Sequence, residues 1–168
     1  MDIAISVFSQ TFWALLGAIF GILLPVIAHS WKYLRRPELL GVWKSAYEGI
    51  DEPPGTWVTE ELDIRVAKGR FCLNNADSSH GYNYTAWGHI AAKLYLVGDW
   101  ESIRPGANAH GAFILTISAQ GNSMYGYWVG PDNSGARRYG KWALGRDNTS
   151  LDAAKELCDE MYLSNRVA

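Results

Sequence analysis

The residues best suited to chemistry lie in one stretch, Met124–Arg146, which reads MYGYWVGPDNSGARRYGKWALGR. Two alternating, aromatic-rich runs flank a turn of Gly, Pro, Asp, Asn and Ser, and the turn ends in Arg137 and Arg138. A guanidinium is a planar fork of donors that suits phosphate. Flat rings stack on nucleobases at about 1–3 kcal/mol each. The run around Tyr84 has the same texture, with Tyr82, Tyr84 and Ala86 on one side and Asn83, Thr85 and Trp87 on the other. Asn83, Asn108, Asn122 and Asn133 could read base edges. Residue type and strand position assign Arg137 and Arg138 to phosphates, and Tyr47, Tyr84, Trp87 and Tyr125 to bases. A ligand of nucleotide type follows. A second reading stays open, in which the rings are barrel core and the arginines are solvated at a turn.

Other chemistries lack their residues. Nucleophilic catalysis needs a nucleophile, a base and an orienting group. The histidines (His29, His80, His89 and His110) show no such pattern, and there is no HExxH, P-loop or dinucleotide fingerprint. We therefore expect a binding protein with no cofactor and no metal, not an enzyme. The carboxylates of DEPPG and TEELD read as a turn and a solvated face. Cys72 and Cys158 have no zinc spacing and read as free, buried thiols. A formal net charge of −2 gives no global basic field for duplex DNA or RNA.

The elements that must position these groups are mainly β. After the junction LRRPE the periodicity becomes 2, and eight strands are expected at about 40–48, 57–67, 69–75, 82–91, 93–101, 111–119, 123–130 and 137–146. TSLDAAKELCDEMYLS follows as a helix, with Ser150 as N-cap and a stripe of Leu151, Ala154, Leu157 and Met161. Short, even connections favour a small closed up-and-down antiparallel barrel over a sandwich. Trp43, Trp142 and Arg146 share inward faces on the first and last strands, and we expect them to shut one end by cation–π stacking. The chain then divides into a membrane segment and basic junction (1–36), a barrel (37–148) and a C-terminal helix (149–168).

From Ile3 to Ala28 there is no charged residue. A helix rises about 1.5 Å per residue, and about 20 residues cross the bilayer core, so this run is long enough to span it. The start Met1-Asp2 and the poor cleavage site in VIAHSWKYL argue against a signal peptide. Lys32, Arg35 and Arg36 follow the run and nothing basic precedes it, which places the body in the cytoplasm. Gly17 and Gly21 form a GxxxG, a spacing that lets helices self-associate in lipid.

The combination of an N-terminal span, a basic junction, an LxGxW first strand, a GYWxG strand and a closing GKWxLxR strand resembles a known family. It is similar to membrane effectors of bacterial antiphage cyclic-nucleotide signalling, the CBASS type and its relatives. The resemblance implies a lipocalin-like eight-stranded barrel that binds a cyclic di- or trinucleotide at the inner membrane. Binding would control oligomerisation and membrane disruption, with the ligand either activating or restraining. Family members often carry two spans, whereas this chain shows one. A membrane-tethered carrier of a lipid or other apolar molecule, and a barrel that docks a partner, are the alternatives.

Overall fold

The computed structural model describes residues 17–22, 24, 36–49, 53, 55–75, 83–104, 109–131 and 135–164. The chain divides into two compact units, Met1–Pro37 and Glu38–Ala168. In the first, residues 17–22 and 24 are helical, and Ile19, Phe20, Ile22 and Leu24 are exposed. The rest of the expected span, with Lys32 and Arg35, lies outside the described residues. Among the described residues no helix is long and apolar enough to cross a membrane.

The second unit is a closed antiparallel barrel of eight strands. They are β1 (Gly41–Glu48), β2 (Trp57–Ala67), β3 (Arg70–Asn75), β4 (Tyr84–Ala91), β5 (Tyr95–Ser102), β6 (His110–Ile117), β7 (Ser123–Pro131) and β8 (Arg137–Gly145). Each strand pairs with its sequence neighbours, and β8 closes on β1 with Ser45 opposite Leu144 and Tyr47 opposite Trp142. Closure leaves no edge strand, so every ladder group has a neighbour. The β2–β3 hairpin turns through Lys68 (φ 49°) and Gly69 (φ 70°). Two left-handed residues there match the twist of the strands they join. The expected strand ends agree with the observed ones to within two residues.

Side-chain alternation sorts each strand into an inner and an outer face. Buried Trp43, Leu62, Ile64, Phe71, Leu73, Leu96, Leu115, Ile117, Met124 and Leu144 form the interior core. They concentrate where β1 begins and β8 ends. There Trp43 donates to the Leu39 carbonyl (2.9 Å), and the Arg146 guanidinium lies 4.1 Å from the centre of the Trp43 ring. Arg146 also donates to the carbonyls of Val42 (3.0 Å), Leu40 (2.7 Å) and Glu38. One cation thus holds the incoming chain against the end of β8 and closes this end.

Trp142 does not join that plug, contrary to expectation. It pairs in register with Tyr47, not Trp43, and donates to Ser45 Oγ (2.9 Å) further up the barrel. Alternation alone gives the face of a residue and not its height; the β1–β8 register supplies the height.

The C-terminal helix α1 (Asn148–Ser164) lies on the outside of β8, β7 and β1. Leu151, Ala154 and Cys158 bury against Ala46 and Ala143, with Trp57 and Tyr125 beside them. Cys158 takes the place expected for Leu157, because 151, 154 and 158 stay closest to one line on a 3.6-residue helix. The N-cap is Asp147 rather than Ser150. Asp147 Oδ1 accepts from the Ser150 N–H (2.8 Å), and Ser150 Oγ accepts from the Asp147 N–H (3.1 Å). This reciprocal pair is a capping box in which Ser150 plays the third-position role. Both cysteines are free and buried.

Candidate ligand-binding site

At the other end of the barrel β1, β3, β5 and β7 end and β2, β4, β6 and β8 begin, and its inner face is polar and aromatic. Its centre is Glu60, 8% exposed, on the inner face of β2 with Val58, Leu62 and Ile64. Glu60 Oε1 accepts from Ser45 Oγ (3.1 Å) and from the Tyr84 hydroxyl, and Oε2 accepts from Asn75 Nδ2 (2.7 Å). Ser45 in turn accepts from Trp142 Nε1. The network ties β1, β2, β3, β4 and β8 together through side chains. Burial raises the Glu60 carboxyl and outweighs the lowering by the bonds from Tyr84 and Ser45, leaving it at about 7. Burial, and then the Glu60 charge, holds the Tyr84 hydroxyl well above its usual range. Tyr84 therefore remains a donor.

Rings surround this centre. Tyr84 meets Tyr47 and Trp142 edge-to-face at 6.3 and 6.0 Å between centroids. Phe113 meets Trp142 at 5.2 Å, and Trp100 meets Trp128 at 5.9 Å. The indoles lie on glycines of neighbouring strands. A Cβ at Gly140 would fall 2.6 Å from Trp128 Nε1, and one at Gly111 would fall 2.7 Å from Trp100 Nε1. Trp128 donates to the Glu48 carbonyl at 3.1 Å.

The six residues singled out in the sequence divide between two surfaces. Tyr47 and Tyr84 face inward and touch. Arg138 shares the inward side of β8 with Gly140 and Trp142, and sits at the rim opposite Gly130. Arg137 and Arg138 are both exposed, and Arg137 has the opposite, outward orientation along the strand. Trp87 and Tyr125 lie on the outer face. Trp87 pairs across from Cys72 and Asp99, and Tyr125 packs beside the cluster under α1. The structure thus brings Tyr47, Tyr84 and the Arg138 position to one end of the interior and leaves Arg137, Trp87 and Tyr125 outside it. Of the asparagines, Asn83 and Asn122 are described and Asn108 and Asn133 lie outside the described residues. Asn122 accepts from Ser118 at the shut end, away from this site.

Glu60, Asn75 and Trp100 were not anticipated, and the carboxylates of TEELD are not all on a solvated face: Glu60 is the buried one. The signal was the alternation of Val58, Glu60, Leu62 and Ile64, which puts a carboxylate on an otherwise apolar face. Among the described residues no three His, Cys, Asp or Glu side chains stand together as metal ligands. No protein-family model matches the chain, and no curated protein matches it in sequence.

Proposed function

We propose that this chain is a membrane-anchored antiphage effector whose cytoplasmic barrel binds a cyclic oligonucleotide. The observation that carries the reading is the division of the barrel interior. One end is apolar and shut by Trp43 and Arg146; the other gathers Glu60, Asn75, Tyr47, Tyr84 and the rim position of Arg138. A nucleotide matches that inventory. Its base offers a flat face to the tyrosines and N–H donors to the carboxylate–amide pair, and its phosphate suits arginine. A fatty acid would place a hydrocarbon chain against a buried carboxyl, which is unfavourable.

The membrane part of the proposal rests on the uncharged run Ile3–Ala28 and the basic residues after it. Within that run Gly17 and Gly21 lie four apart on the described helical stretch, and among the described residues a Cβ built on either meets nothing within 4 Å. Ligand binding shifts the association of protomers by its differential affinity for the two states, and the spans then breach or spare the inner membrane.

The test uses the full chain in detergent, melted with a panel of cyclic di- and trinucleotides beside fatty acids. A ligand at 100 times its dissociation constant stabilises by about 2.7 kcal/mol. The proposal expects stabilisation by a cyclic nucleotide. Dye leakage from liposomes bearing the chain, with and without that ligand, then gives the direction of control. Stabilisation by fatty acids alone would replace this reading with a lipid carrier.

A further inference from the structure

Trp100 Nε1 is buried and, among the described residues, has no hydrogen-bond partner. An indole N–H is a donor only, so what it lacks is an acceptor. Leaving such a donor dry is unfavourable, because the water it gave up is not replaced. The fold does not relieve it by tilting the ring, because the indole lies flush on backbone. A Cβ at Gly130 would fall 2.7 Å from Trp100 Cζ2, and Gly111 presses on the pyrrole side. Its partner ring Trp128 is likewise a donor only, and gives its N–H to the Glu48 carbonyl.

The location gives the missing group its chemistry. Trp100 is on the inner face of β5, and its ring reaches across β6 to Gly130 of β7. Gly130 pairs with Arg138 on β8. The orphan N–H and the Arg138 position therefore lie on one arc of the mouth, β5 to β8, while Glu60 lies on β2, on the remaining arc of the closed sheet. The β5–β8 arc offers donors, whereas the Glu60 carboxyl already holds Ser45, Tyr84 and Asn75 as its own donors. We propose that Trp100 Nε1 donates to an anionic oxygen of the ligand, a phosphate of the class expected for a cyclic nucleotide, with Arg138 as the second donor. This inference rests on the proposed function above, and it orients the ligand: phosphate toward β5–β8, base toward Glu60 and Asn75.

The test is an NMR titration of the full, ¹⁵N-labelled chain in detergent, reading the tryptophan indole resonances. Trp100→Phe keeps an aromatic ring on the two glycines, removes the donor and identifies the Trp100 peak. The probes are cyclic di- and trinucleotides, the corresponding nucleosides and inorganic pyrophosphate. The Trp100 indole proton should move downfield with cyclic dinucleotides and with pyrophosphate, and should stay put with nucleosides. Trp100→Phe should weaken cyclic dinucleotides about 3- to 10-fold and leave nucleosides unchanged. A cyclic dinucleotide that binds without moving this resonance overturns the Trp100 assignment and leaves the nucleotide reading standing. If no cyclic di- or trinucleotide binds, the nucleotide reading fails, and pyrophosphate decides the donor site: a saturable shift of Trp100 supports an anion subsite, and a static peak overturns it. The wild-type titration stands by itself if Trp100→Phe fails to fold.

Discussion

The two ends of the barrel are built from the same residue types and use them in opposite ways. At the shut end a tryptophan and an arginine neutralise one another's needs: Trp43 donates to Leu39, and Arg146 donates to three carbonyls while lying over the Trp43 ring. At the loop end Trp100 Nε1 has no acceptor among the described residues, and Glu60 is a carboxyl kept in a site that burial makes unfavourable to its charge. An end whose polar groups are satisfied contributes stability. An end that retains costly groups needs another reason for them, and binding is the reason proposed here.

The sharpest way to break that contrast is Trp43→Ala. Trp43 is fully buried, and a large-to-small change of this kind costs about 3–5 kcal/mol through lost burial and an unfilled cavity. It also leaves Arg146 without its ring. Chemical denaturation should show a loss of that size, with an m-value unchanged. A loss under about 1 kcal/mol would mean that the plug is not what holds this end.

Glu60 tests the opposite end through pH. Its folded-state pKa, about 7, lies above the ordinary value of 4.5, so the native state holds the proton more tightly. The stability it contributes is full below about pH 4.5 and is lost as pH rises through about 7. The difference corresponds to about 3 kcal/mol as an upper bound. Glu60→Gln should remove this slope, so the wild-type and variant stability curves should converge at low pH and part toward neutrality. Parallel curves between pH 5 and 8 would show that Glu60 titrates as an ordinary surface acid.

That same residue marks how far the sequence could be read. Period-2 runs and turn residues were enough for eight strands and closure, because alternation and Gly/Pro/Asn clusters are local signals. The plug was legible in part: Trp43 and Arg146 were identified from parity, but Trp142 was placed at the wrong height because register depends on pairing across β1 and β8. Glu60 was passed over because its neighbours in TEELD are acidic, although every second residue around it is apolar. Trp87 and Tyr125 show the converse limit. Both were chosen for their rings, and a barrel strand gives rings to either face; Tyr125 belongs to the outer cluster under α1. The Asp147 cap lay three residues before the expected one because Asp and Ser form a reciprocal pair, and either alone satisfies the composition rule.

The smallest effect on stability carries the finest test of the site. Arg137 and Arg138 are adjacent and exposed, so replacing either by Ala should change folding stability by no more than about 0.5 kcal/mol. Residue type cannot tell them apart, but strand parity can. Arg138 shares the inward side with Gly140 and Trp142 at the mouth, and Arg137 points along the outer face. If the loop end binds an anion through its inner rim, Arg138→Ala should weaken a bound cyclic nucleotide by about 1.5–3 kcal/mol, the range for a hydrogen bond to a charged group. Arg137→Ala should change it by less than a factor of about 3, through long-range charge alone. Equal losses from both variants would argue for a diffuse basic loop instead of a directed contact. A loss confined to Arg137 would move the anion site to the outside of the barrel, and the contrast between the two ends would then be one of stability only.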